Sequence, residues 1–276
     1  MMKNCIAIHD LCCYAKSSLT VVIPTLECLN VEVLPLPTAL LSSQSDGFED
    51  LYIKNLTNEI EQVLDVWEKE EISCDCIYSG FLAGDEQVNI VERVIKSQKD
   101  NNPLIIIDPV LGDDLIPYSP INNNLIEKMK YLVSFADVIC PNSTEAALLL
   151  GEKPKKFYSN SEIESFLKRL IEMGPNKVVI TSVLQEASQS VVTVSISKGE
   201  ITYHYNKMID TSYPGTGDLF ASALAGLILK GFSFERACNI CSTLCSKALV
   251  ETKNLGYKKR HGISVAAIIP YLDAFN

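Results

Sequence analysis

Leu104-Ile105-Ile106-Ile107-Asp108-Pro109-Val110-Leu111-Gly112-Asp113 is the stretch whose reading decides the fold. Its first four residues form an unbroken apolar run, suited to a strand in the middle of a parallel sheet with both faces covered. The run ends at an acid. An ionisable group at the carboxyl end of a central strand points into the crevice where α/β sheets bind ligands, which makes Asp108 a candidate site residue. An aspartate before proline is also an ordinary turn former, and that plainer reading stays open for Asp108 and for Asp113.

Working outward, the same alternation recurs on both sides. Upstream, Asn4 to Ile8 reads as a buried strand followed by the polar break His9-Asp10, and Ser17 or Ser18 is expected to cap a helix through Leu29. Val31 to Leu34 returns as a second strand, and Ser42 to Gly47 reads as a loop. Thr57 or Asn58 is expected to cap a helix with Ile60, Val63, Leu64 and Trp67 on its apolar face. Cys76 to Gly80 is a strand and turn, and Val88, Val91, Val94 and Ile95 mark another amphipathic helix. Downstream come strands over 138–140 and 177–182, then a hairpin from Val191 to Ile196 and Ile201 to Tyr205. Helices over 219–230, 234–250 and 264–275 close the chain. Strands alternating with helices imply right-handed crossovers and a mainly parallel sheet, so the expected class is α/β, a single three-layer α/β/α domain over residues 1–276.

Composition narrows the partners. The net charge of −10 disfavours nucleic acid or an anionic membrane, because both call for basic patches. An anionic nucleotide then has to be held by local features. The longest apolar stretch, Leu219 to Leu229, is too short to span a bilayer, and no basic-then-apolar leader opens the chain, so a cytoplasmic protein is expected. The ten cysteines are irregularly spaced. Cys238, Cys241 and Cys245 fall on one helix face and read as small core residues. Cys12 and Cys13 read the same way, with reactivity as the alternative because they lie in a candidate substrate loop.

A second stretch carries chemistry: Asp210-Thr211-Ser212-Tyr213-Pro214-Gly215-Thr216-Gly217-Asp218-Leu219-Phe220-Ala221-Ser222-Ala223-Leu224-Ala225-Gly226-Leu227. Two glycines bracket a threonine ahead of an apolar helix, so Gly215, Thr216 and Gly217 form a tight turn whose amides can hold a phosphoryl oxygen. Asp218 would repel that anion unless it does chemistry there. A base taking a proton from an attacking hydroxyl accounts for it; the plainer reading is a cap on a helix starting at Leu219.

Pro214-Gly215-Thr216-Gly217-Asp218 with its small-residue helix resembles the signature of ribokinase-like small-molecule kinases. The likeness spans nearly the whole chain, and the first half is most similar to the vitamin B6 (pyridoxal and pyridoxamine) kinase branch. The resemblance implies a ribokinase-like fold without a lid domain, Asp218 as catalytic base and Gly215 to Gly217 as an anion hole. It places Asp113, Asn142, Thr181 and Ser182 beside the nucleotide phosphates. Asn142 and Glu145 match an Asn-x-x-Glu motif whose Glu organises hydrated magnesium, with Asp108 as its companion. By local physics alone Asn142 to Glu145 is a helix cap with Glu in the first turn.

So many acids around one crevice call for a divalent cation, and magnesium with ATP is the expected donor complex; a monovalent cation is a further candidate. No P-loop motif is present. The implied acceptor is the 5-hydroxymethyl group of pyridoxal, pyridoxamine or pyridoxine, contacted by Asp10, Ser45 and Phe81. These depart from the branch pattern, since Asp10 replaces Ser, Gln44-Ser45 replaces His-Thr and Phe81 replaces Tyr. Hydroxymethylpyrimidine kinase is the alternative within the fold, and a non-catalytic vitamin B6 or nucleotide-binding protein is the alternative outside catalysis. A homodimer is expected.

Overall fold

The computed structural model describes residues 2–119, 121–185 and 190–276. In chain order the elements are β1 (Lys3–Cys12), α1 (Leu19–Cys28), β2 (Val31–Leu41), β3 (Ile53–Asn55), α2 (Thr57–Lys69), β4 (Cys76–Ser79), α3 (Glu86–Ser97) and β5 (Leu104–Ile107). They continue as β6 (Gly112–Asp113), β7 (Ile116–Pro117), α4 (Asn123–Val133), β8 (Val138–Ile139), α5 (Ser143–Leu149) and α6 (Asn160–Glu172). The last third holds β9 (Lys177–Leu184), β10 (Ser190–Ser197), β11 (Glu200–Lys207), α7 (Thr216–Leu229), α8 (Phe234–Asn254) and α9 (Ile269–Asp273).

Among the described residues one sheet runs in the order β11-β10-β9-β8-β5-β4-β1-β2-β3. The strands from β2 to β9 in that order pair in parallel, and antiparallel neighbours close both edges. β5 is in the middle, as its unbroken apolar run demands. Side chains of each strand alternate between two cores: Ile6, Ile8, Ile77 and Ile107 face α2 to α6, while Cys5, Ala7, Cys76 and Ile106 face α1 and α7 to α9. This is the three-layer α/β arrangement that the alternation predicts. The order reverses at β1, whose neighbours are β2 on one side and β4 on the other. Such a reversal is where open α/β sheets bind ligands, here at the carboxyl ends of β1, β4 and β5.

Several boundaries differ from expectation, each for a local reason. β1 does not break at His9-Asp10 but continues to Cys12, with a register shift between His9 and Leu11. β2 extends to Leu41 through Pro35 and Pro37, which is allowed because β3 pairs only with Ala39 to Leu41 and leaves the prolines on an open edge. Ser18 precedes α1, but its side chain makes no capping bond and its φ is 56°. Neither Thr57 nor Asn58 caps α2; the Asn55 side chain accepts from the Thr57 amide instead. Val63 is exposed, so α2 buries a narrower stripe than its periodicity suggests, with Trp67 partly buried against the core. The C-terminal helix shrinks to a single turn of 3-10 helix, Val265–Ala267, followed by α9.

Cys238 and Cys241 are buried between α8 and the sheet, and Cys245 is partly buried beside them. The small residues of α7 let it pack between α1 and α8; a Cβ on Gly226 would lie 2.6 Å from a Leu29 methyl.

Candidate active site

α7 begins at Thr216, not at Leu219. Gly215 is its N-cap, with a φ of 87° that favours glycine, and a Cβ there would meet the Lys16 carbonyl, Val21 and Ile263 at 3.0 to 3.1 Å. Thr216 closes the turn by donating from Oγ1 to the Tyr213 carbonyl at 2.7 Å. The opening amides of a helix have no intrahelical partners, and a Cβ on Gly217 would meet nothing within 4 Å, so a ligand can approach this backbone closely.

Asp218 therefore stands in the first turn rather than at the cap, and its carboxylate has other partners. Oδ2 accepts from the Ser18 amide at 2.6 Å. Oδ1 lies 2.9 Å from Nε2 of His9. The other nitrogen of that ring, Nδ1, lies 2.9 Å from Oδ1 of Asp10, and the amides of Asp10 and Phe81 approach it at 3.0 and 3.3 Å. Burial alone would lower the His9 pKa, but the Asp218 charge and the bonds to both acids raise it to about 10. Asp10 moves the other way: burial opposes ionisation, yet the bond and charge of His9 hold its carboxyl below the usual range.

Asp10 is only 3% exposed, and both its oxygens have partners within the protein, His9 for one and the Cys12 thiol at 3.2 Å for the other. Cys12 is itself buried, and burial with the neighbouring Asp10 charge pushes its thiol well above the ordinary value; Cys13 is exposed.

Around the carboxyl end of β5 a second group of acids gathers. Asp108 is 6% exposed, and burial followed by repulsion from Asp218 raises its pKa to about 7. Val110, a β-branched residue, takes a φ of 28°, so the backbone is strained right behind that acid. Glu145, 4% exposed, accepts from the Leu111 amide at 3.1 Å and from the Asn142 amide at 2.8 Å. Burial and the Asp108 charge push it well above the ordinary glutamate value. Asn142 returns the bond, accepting from the Glu145 amide at 2.9 Å, while its Nδ2 donates to the Gly112 carbonyl at 2.8 Å. Both readings of this motif hold at once: a capping box, and a buried acid beside the crevice.

Asp113 follows Gly112; its side chain is exposed to solvent, yet desolvation by the chain packed around it still raises its carboxyl above the usual range. Thr181 bridges to Asn142 in parallel, and Ser182 beyond it is exposed with a φ of 56°. Phe81 is half-buried, its carbonyl accepting from Thr38 Oγ1 at 2.8 Å. Ser45 is exposed, in a loop tied to the opposite wall by Gln44, whose Nε2 donates to the Arg260 carbonyl at 3.0 Å.

The structure thus brings Asp10, Asp108, Glu145 and Asp218 to one end of the sheet, with Asn142, Asp113 and Thr181 along its flank. His9 is the member that sequence reasoning passed over. Its signal was a polar pair following a run of core residues. Among the described residues no three His, Cys, Asp or Glu side chains converge as a metal-ligand set. Magnesium keeps several waters and takes only one or two carboxylates from a protein, so a donor set of Asp108 and Glu145 still fits it. The buried Tyr78 hydroxyl has no partner among the described residues, and burial first, then the Asp108 charge, push its pKa well above the ordinary value.

Comparison with known proteins supplies the family. A family model described as phosphomethylpyrimidine kinase matches residues 19–263. The pyridoxine/pyridoxal/pyridoxamine kinase of Bordetella avium (strain 197N) is 31% identical over 183 residues, 64% of this chain and 60% of that protein. The pyridoxal kinase of Dictyostelium discoideum is 25% identical over 265 residues, 90% of this chain and 84% of that one. A Bacteroides thetaiotaomicron protein bearing the phosphomethylpyrimidine kinase name, crystallised in an orthorhombic form with pyridoxal, superposes with a TM-score of 0.92 at 32% identity. That match covers 99% of this chain and 96% of that one.

Proposed function

The chain belongs to the phosphomethylpyrimidine kinase family, and from that membership we propose that it is a pyridoxal kinase, transferring the γ-phosphoryl group of ATP to the 5-hydroxymethyl group of pyridoxal, pyridoxamine or pyridoxine. The observation that carries this reading is Asp218, an acid in the first turn of α7 directly beyond the Gly215 to Gly217 amides, at the crevice end of a ribokinase-like sheet. The likeness to the pyridoxal-bound Bacteroides thetaiotaomicron structure and to vitamin B6 kinases along most of the chain supports the choice of acceptor.

In the proposed reaction Asp218 accepts the proton of the substrate hydroxymethyl group, whose oxygen attacks the γ-phosphorus in line. The Gly215, Thr216 and Gly217 amides hold charge as it develops on the transferred group. General-base assistance of this kind contributes about 10² to 10⁴ in rate. Asn142, Asp113, Thr181 and Ser182 line the nucleotide side, and Phe81 and Ser45 the vitamin side. Asp10 stands on the vitamin side without open contact to it, since its carboxylate is engaged by His9 and Cys12. Asp108 and Glu145 would hold hydrated magnesium, whose charge offsets the acids and the phosphates. We take residues 1–276 as one kinase domain, cytoplasmic and homodimeric.

A coupled ADP-release assay over pyridoxal, pyridoxamine, pyridoxine and hydroxymethylpyrimidine tests the reading. Turnover should favour a vitamin B6 form. Turnover confined to hydroxymethylpyrimidine would instead select the alternative that the family description names, and pyridoxal binding without ADP release would select a binding protein.

A further inference from the structure

Among the buried groups the proposed reaction does not use, His9 is the most completely built in. Its ring is 2% exposed and lies between two carboxylates, Asp10 from its own strand and Asp218 from α7, each at 2.9 Å from a ring nitrogen. The edge of the Tyr78 ring meets it from β4 at a centroid distance of 6.2 Å. Gly80 makes the room: a Cβ there would fall 2.0 Å from the imidazole Cδ2. Three strand or helix ends thus shape one imidazole slot.

Two acids facing two nitrogens constrain the protons. Whichever way Nδ1 is satisfied, Nε2 must carry a hydrogen to bond Asp218, because a ring lone pair facing a carboxylate is repulsive. The amides of Asp10 and Phe81 also point at Nδ1, at 3.0 and 3.3 Å, but the ionised Asp10 carboxylate is nearer at 2.9 Å and carries a full charge, so Nδ1 holds a hydrogen as well and the ring is an imidazolium. The other titratable groups around it are Asp108, whose ionisation the His9 charge favours, the Tyr78 hydroxyl, and Cys12 on the far side of Asp10. All of these are acids, so His9 is the cation among them.

We propose that His9, clamped by Asp10 and given space by Gly80, is a positioning residue that fixes one oxygen of Asp218 and supplies the buried positive charge favouring its proton-accepting form. The role rests on Asp218 being the base assigned above. His9 touches neither substrate in this scheme, and its effect passes through Asp218. The raised His9 pKa is consistent with this charge.

The test has one arm that needs no turnover. The chain has three histidines, so ¹⁵N-labelled protein gives a small set of imidazole signals, assigned by His204→Gln and His261→Gln difference spectra. His9 should stay doubly protonated from pH 6 to above pH 8. Loss of a proton near the ordinary imidazole value of about 6.5 overturns the proposal. In the second arm His9→Gln keeps a donor but no charge. A cation beside a proton acceptor favours the proton-free form, so its removal should move the acid limb of the kcat profile to higher pH. At neutral pH kcat should drop about tenfold or more with both KM values within about threefold. Asp10→Asn should move the limb the same way by a smaller amount. An unmoved limb in a folded His9→Gln protein leaves the histidine as packing and overturns the proposal. If the parent phosphorylates no vitamin B6 form, the substrate assignment falls while the titration still decides the charge on His9.

Discussion

The backbone amide of Ser18 donates to Oδ2 of Asp218 at 2.6 Å, from a residue held at a φ of 56°. With His9 on Oδ1, both oxygens of Asp218 face donors from β1 and the turn after it. An asparagine is about as good as aspartate at a helix cap, but here its NH₂ has to face one of those donors. Asp218→Asn should therefore cost stability as well as activity, about 1–3 kcal/mol for the lost bond. The expected kcat loss is about 10² or more. Melting with and without Mg-ATP separates the two effects, because nucleotide binding should still raise Tm in the variant. Turnover within a few-fold of the parent means that another group accepts the proton.

Glu145 offers a similar distinction. Its carboxylate already accepts the Leu111 and Asn142 amides, so Glu145→Gln retains one of those bonds and turns an NH₂ toward the other. A purely capping residue would show only the stability loss. A residue that helps hold magnesium should also raise the magnesium concentration needed for half-maximal rate. We expect both, and an unchanged magnesium dependence with a lowered Tm returns Glu145 to capping alone.

Most of the fold was legible because burial writes itself into hydropathy. Leu104 to Ile107 could only be a covered central strand, and the alternation around it set the layers. What stayed hidden depends on partners far along the chain. His9 and Asp10 read as a break after a strand, since nothing local shows that a buried polar pair will be met by Asp218, 209 residues away. The sequence marks β2 only over Val31 to Leu34, and it takes the sheet order to show that Pro35 and Pro37, which follow, lie on an open edge where a strand tolerates them. β3 is three exposed residues with no hydrophobic pattern at all. The Asn142 and Glu145 pair was legible twice over, as capping box and as motif, because both roles use the same short spacing.

Gly80 provides a packing test of the histidine slot. Gly80→Ala puts a methyl 2.0 Å from the His9 ring, and that ring is held at both nitrogens, so it cannot yield without releasing a carboxylate. Overpacking of this kind costs about 1–3 kcal/mol. A fall in Tm should come with a fall in kcat. Gly84→Ala is the control, with only the Asn55 side chain at 3.7 Å from the new Cβ, and it should melt within a degree or two of the parent. Equal melting of the two variants would show that the ring moves aside freely.

The pH dependence of folding carries the same information without any substrate. The His9 pKa is about 10 in the folded protein, against an ordinary 6.5. A group whose folded pKa is raised binds its proton more tightly in the native state. Its contribution is fully present below about pH 6.5, declines as pH rises, and is gone above about pH 10. Denaturant unfolding of the parent at a series of pH values should therefore show stability falling from pH 6.5 to 10. Lysines and tyrosines titrating at the upper end contribute to both proteins, so the comparison lies in the difference: His9→Gln should be less stable than the parent at pH 6.5 and converge with it by about pH 10. A difference that stays constant over this range would mean that His9 is neutral in the native protein and contributes through packing, with the two acids sharing a proton between themselves and the ring.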